Sequence, residues 1–291
     1  MSRNGIINGI FALLLALAFS TAFHVSAQKS QQQPPKEPYL EAARRAGEAM
    51  RRGDFSAAVE LYTEAVNLFP KIDAYTPKSK KLELTGGGFV EAPYTGLDGL
   101  YASRARAYLL RRNFAEAGND YANALTVLKY EITKNIEKAK NLRRTADIKK
   151  ERENAHSTIY NSNLARAAFD FSVALQACDR ARHLNQSRIR FYAESGMPLA
   201  PEERNIRGFD QIVKYKEEAL FGKAEAEATL MIEVENREYA FPALKSSEEL
   251  IAAFPGSVEG YRLRARVYRR WGREAEALAD EQRAGELSAQ K

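Results

Sequence analysis

Four arginines, Arg262, Arg266, Arg269 and Arg273, stand at i, i+4, i+7 and i+11, so a helix through them gathers their guanidinium groups into one row. A guanidinium fork accepts the paired oxygens of a carboxylate or phosphate, and a row of forks suits an anionic partner segment. The competing use of the same row is to keep an exposed terminal helix soluble. Other chemistry is scarce. The histidines are His24, His156 and His183, and none has a cysteine or second histidine at metal-ligand spacing. No nucleophile elbow, metalloprotease helix motif or dinucleotide fingerprint occurs. The triple glycine Gly86–Gly88 lacks the Lys-Ser/Thr pair and the helix start that a phosphate loop needs. No catalytic, cofactor-binding or metal-binding residue is therefore expected, and an enzyme assembled from distant residues stays open as the minority reading.

The arginine row belongs to a duplicated segment. Tyr101–Ala124 aligns with Tyr261–Ala284 at a constant offset of 160, with 10 of 24 positions identical. Tyr101, Ala105 and Tyr108, like Tyr261, Ala265 and Tyr268, are spaced i, i+4 and i+7 and mark the packing stripe of a first helix. A second helix follows a short break, bearing Ala117, Tyr121 and Ala124 in one copy and Ala277 and Ala284 in the other. Arg106 matches Arg266 and is expected to face the same way. Arg104 and Arg264 recur beside the packing stripe, where a carboxylate contact to a neighbouring helix suits them better than a ligand role. Trp271, beside Gly272, is expected to cap or pack the end of its helix.

Helix pairs reused along a chain stack into arrays, and arrays mostly bind other molecules. The pair after Pro38 is the cleanest. Tyr39–Arg52 reads as an amphipathic helix, Gly53-Asp54-Phe55 as the turn, Ser56–Phe69 as the second helix and Pro70 as its stop. Ala58, Tyr62, Ala65 and Pro70 then supply a small residue, an aromatic, a small residue and a helix stop. In this the unit 39–72 resembles a tetratricopeptide repeat, as do 98–131, the degenerate 220–256 (Ala243, Leu250, Pro255) and 257–291, where Glu281 replaces the usual aromatic. The resemblance implies an all-α fold, a right-handed superhelix of stacked antiparallel helix pairs. It also implies that Arg106, Arg262, Arg266 and Arg269 look into a concave groove that receives a partner.

Two insertions interrupt the pattern. In 71–97 the run KLELTGGGFVEAPY alternates apolar and polar residues around the glycines, as a hairpin or an excursion loop would. In 127–208, Leu128, Ile132, Ile136, Ala139 and Leu142 extend one helix far beyond repeat length. After a polar break near Thr145–Asn154, a second long helix carries Ile159, Leu164, Ala168, Phe171, Leu175 and Cys178. Two such helices form a long central hairpin, or over-long members of the same stack. Cys178 falls on the apolar stripe and is expected to pack as a small hydrophobe.

At the N-terminus, Arg3, the apolar run Ile6–Ala18 and Val25-Ser26-Ala27 read as a secretory signal over 1–27. The apolar run falls short of the roughly 20 residues of a membrane span, which disfavours a retained anchor. Polar, proline-bearing residues 28–37 read as a tether to the helical domain 38–291. Nine basic and four acidic residues lie between Lys129 and Arg152, an excess equal to the +5 left of the net +6 once Arg3 leaves with the signal, and they read as the solvated face of a long helix. Export to a bacterial periplasm or medium argues against nucleic acid as partner. The expected function is thus an exported scaffold for another protein or peptide segment, acidic in character. An envelope glycan- or small-molecule-binding protein is the alternative, and self-association through the long central helices a third.

Overall fold

The computed structural model describes residues 38–69, 81–84, 88–91, 96–152 and 158–290. The expected signal 1–27, the tether 28–37, His24, His156, Gly86, Gly87 and most of 71–97 lie outside the described residues. Helices dominate the rest: α1 (Pro38–Arg51), α2 (Phe55–Leu68), α3 (Leu97–Leu110), α4 (Phe114–Arg152), α5 (Thr158–Glu194), α6 (Asp210–Ile232), α7 (Ala240–Ala253), α8 (Val258–Arg270) and α9 (Glu274–Ala289). The fold is all-α apart from one short antiparallel pair, β1 (Lys81–Leu84) and β2 (Gly88–Glu91), in register from Lys81 opposite Glu91 to Leu84 opposite Gly88. The alternating run around the glycines is therefore a hairpin.

Alanine explains why the helices sit so close. Ala42, Ala46 and Ala49 of α1 face Ala58 and Ala65 of α2, and all are buried. Ala105, Ala117 and Ala124 do the same between α3 and α4, as Ala265, Ala277 and Ala284 do at the C-terminus. Small side chains bring helix axes together, and Tyr62, Tyr101, Tyr121 and Tyr268 fill the remaining gaps.

The three short hairpins turn identically. Asp54 N–H donates to the Ala49 carbonyl at 3.0 Å, Asn113 N–H to Tyr108 at 2.9 Å and Arg273 N–H to Tyr268 at 2.9 Å, closures that need a left-handed residue just before them. Gly53 (φ 77°) and Gly272 (φ 74°) supply it without strain, whereas the middle turn uses Arg112 (φ 61°).

The long helices differ from expectation in one respect. α4 does not break at Thr145 but continues to Arg152, 39 residues or roughly 58 Å. Ala146 holds this stretch in place, fully buried against Tyr160, Leu164 and Leu230. The basic run is largely the solvated face expected, with Lys134, Lys138, Lys140 and Arg144 exposed, and some of its charges also reach neighbouring helices. Lys138 pairs with Asp170 of α5 at 2.8 Å, while Lys140 and Arg143 pair with Glu218 and Glu225 of α6. Arg180 of α5 joins Glu131 of α4 and, at 3.5 Å, Asp98 of α3. Cys178 packs as expected: buried, unpaired, its thiol pushed up to about 12 by desolvation.

The packing order gives a row of helices. α4, α6 and α8 touch in succession along one row. α3 touches α5, and α7 packs against both α6 and α8. α3 packs on α2, α4 and α5, whereas α8, the other duplicated first helix, packs on α6, α7 and α9.

Two packing details make predictions. Arg112→Gly removes left-handed strain and should raise stability by roughly 0.5–1 kcal/mol in urea unfolding. Gly222→Ala places a methyl 2.3 Å from the Phe171 ring and should lower it by about 1–3 kcal/mol. The buried Glu227 carboxyl is raised by desolvation, against Ser246 and Lys223 pulling it down. A raised carboxyl stabilises the fold below the unfolded carboxylate range and loses that contribution as pH rises through its folded value. Glu227→Gln should therefore gain stability relative to wild type at pH 7 and lose that advantage near pH 4, read as the difference in unfolding midpoint.

Candidate partner-binding face

The C-terminal hairpin builds its arginine row by exclusion. Ser257 caps α8, its hydroxyl accepting from Gly260 N–H at 3.2 Å. Gly260 allows close approach to Leu250 and Ile251 of α7, which an added methyl would meet at 3.2–3.3 Å. Leu263 and Val267 then face α6 and α7, while Ala265 and Tyr268 face Ala277 of α9. What remains exposed on α8 is the sector carrying Arg262, Arg266 and Arg269.

These arginines are not equivalent. Arg262 reaches Glu259 at 2.7 Å, one turn back on its own helix. Arg269 reaches Glu281 of α9 at 2.6 Å and Glu274 at 3.6 Å. Arg273 pairs with Glu276 at 2.6 Å and lies over the Tyr268 ring. Arg266 has no carboxylate partner among the described residues. These exposed pairs are screened by solvent and contribute little, so their guanidiniums remain open to exchange.

Arg106 stands apart. Its guanidinium lies 4.5 Å from the Phe191 ring centroid at the end of α5, and it also has no carboxylate partner among the described residues. α3 packs on α2, α4 and α5, and α8 on α6, α7 and α9, so Arg106 and the row of Arg262, Arg266 and Arg269 belong to separate parts of the stack.

Arg104 and Arg264 do what their position beside the packing stripe implied. Arg104 binds Asp120 of α4 through two hydrogen bonds, 2.7 and 2.8 Å, and Arg264 binds Asp280 of α9 through two of 2.7 Å. Both pairs span 16 residues, and both guanidiniums lie over the tyrosine three places before them, Tyr101 at 5.5 Å and Tyr261 at 5.7 Å. The duplication thus preserves a clamp as well as a packing stripe.

Trp271 ends α8 as expected but remains half exposed, lining a depression of about 420 Å³ with Met231, Glu235, Ala240 and Arg270. His183 is exposed on α5. Among the described residues no cluster of His, Cys, Asp and Glu could hold a metal ion, and no helix is long and apolar enough to cross a membrane. Residues that repeat-based reasoning missed are Arg188, Arg190, Phe191 and Tyr192. Their two arginines followed by two aromatics are visible in the sequence, yet they lie outside every repeat and nothing local pairs them with Arg106. In comparison with known proteins, no family model matches the chain and no curated protein matches it.

The clamps are buried ion pairs, where removing one partner strands the other. Asp120→Ala should cost about 3 kcal/mol, since the Arg104 side chain is only 14% exposed. Asp280→Ala should cost less, because the Arg264 side chain is 21% exposed. Chemical denaturation of the two variants checks the order.

Proposed function

We propose that this chain is an exported, tetratricopeptide-type superhelical scaffold that binds an acidic segment of a partner protein through the arginine row of its last hairpin. The observation that carries the reading is the duplicated hairpin: its alanine packing, tyrosine fillers, Arg–Asp clamp and left-handed turn recur together, the economy of a repeat protein. Stacked helices offer a preformed surface that reorganises little on binding, which favours recognition of extended segments. Arg266 supplies an uncommitted guanidinium, while Arg262 and Arg269 exchange weak intramolecular carboxylates for those of the partner. The signal over 1–27 places the encounter outside the cytoplasm in this proposal.

A glycan or small molecule is the second reading, and the half-exposed Trp271 beside its depression is what favours it.

The test is affinity capture from an envelope extract with the wild-type protein and with Arg262→Glu/Arg266→Glu/Arg269→Glu as baits, at low and moderate salt. The variant should keep the helical circular dichroism spectrum and the unreactive Cys178 of the wild type while losing a salt-sensitive acidic partner. An unchanged partner set would refute the arginine-row reading. Thermal stabilisation by a soluble glycan, lost in Trp271→Ala, would favour the second one.

A further inference from the structure

Where α6 and α8 end and α7 begins, the fold leaves a hollow that the arginine row does not use. This depression of about 420 Å³ is lined by Met231 from the last turn of α6, Glu235 from the turn after it, Ala240 from the start of α7, and Arg270 and Trp271 from the end of α8. Met231 and Ala240 are buried, whereas Trp271, the one tryptophan of the chain, keeps 42% of its surface exposed. A large flat apolar side chain left open beside a hollow is a stacking platform.

The rim carries a paired charge held in a fixed turn. Glu235 has the left-handed backbone (φ 57°) that Gly53 and Gly272 supply at other helix ends, so its side chain stands there at a conformational cost. Asn236 N–H donates to the Leu230 carbonyl at 3.2 Å, and the Asn236 side chain accepts from Glu238 N–H at 3.0 Å, which fixes the turn on both sides. Arg270 Nη2 donates to Glu235 Oε1 at 2.5 Å, and both side chains reach solvent. The second carboxylate oxygen has no partner among the described residues, and the guanidinium has further N–H groups to donate.

These groups select a ligand. One carboxylate and one guanidinium leave the lining without net charge, so an acidic segment meets Glu235 and a cation meets Arg270, and neither is favoured. What the rim offers is an acceptor and donors side by side, next to a flat ring. A sugar presents the complement, since its adjacent hydroxyls both donate and accept and its C–H face lies flat on an aromatic.

We infer that the Trp271 depression binds a neutral saccharide, one ring stacked on Trp271 and its adjacent hydroxyls bridging Glu235 and Arg270. This rests on the glycan reading of the same depression and gives it a ligand class and a binding mode. It does not depend on the arginine row, since Arg262, Arg266 and Arg269 do not line the hollow.

With a single tryptophan in the chain, intrinsic fluorescence reports on this site alone. Titrating the full-length protein with maltotetraose, cellotetraose and chitotetraose should give a saturable emission shift with at least one of them, matched by calorimetric heat. Glu235→Gly removes the carboxylate and the backbone strain together. It should raise the urea midpoint of unfolding and still weaken that sugar at least about tenfold, a combination that loss of folding does not produce. Trp271→Ala should abolish the heat while keeping the helical circular dichroism spectrum. Sugar binding that survives both variants overturns this site and leaves the glycan reading standing. An emission shift with oligoglutamate and with none of the sugars reassigns the hollow to an anion and overturns the inference. Neither emission shift nor heat with any of these sugars overturns the inference and the glycan reading together.

Discussion

The contact of α4 with α6 governs the whole arrangement. Arg143 and Lys140, roughly two and a half to three and a half turns before the end of α4, pair with Glu225 and Glu218 of α6, and Ala146 lets Tyr160 and Leu230 close beneath them. Without that contact α4 would be only the second helix of its hairpin. With it, the C-terminal half of α4 starts a new row that α6 and α8 continue. A helix of 39 residues can play both parts because its two halves meet different neighbours, α3 near one end and α6 toward the other.

Charge is used as an internal fastener throughout. Lys138–Asp170, Arg180–Glu131 and the repeated Arg–Asp clamps sit between helices whose buried contact surfaces are otherwise largely apolar. Such pairs contribute modest net stability but penalise any register that would strand a buried carboxylate. In a stack of similar helices, where sliding by one turn repeats much the same apolar stripe, that penalty distinguishes one register from the next. A surplus of arginine therefore does not by itself mark a binding face. Arg106 and Arg266 are distinguished because the surrounding carboxylates are engaged elsewhere.

Much of the fold was legible in the sequence because it is local. Alanine and tyrosine at helical spacing, Gly53 and Gly272 at the turns, and the 160-residue echo each concern residues within one hairpin. The long stripes of α4 and α5 were legible for the same reason, although the polar stretch after Thr145 concealed that α4 runs on. Burial of Ala146 by residues of α5 and α6 decides that point, and no local pattern reports it. The candidate faces were less legible. The row on α8 is a property of one helix, whereas the Arg106–Phe191 contact joins positions 85 residues apart.

A double-mutant cycle on Arg143 and Glu225 tests the central claim most directly, because that pair bridges the two helices whose contact sets the row. Their Nη2–Oε1 distance of 2.6 Å and partial burial predict a coupling of about 1 kcal/mol between Arg143→Ala and Glu225→Ala in urea unfolding. Additive effects of the two substitutions would mean that the pair does not fasten α4 to α6, contradicting the account.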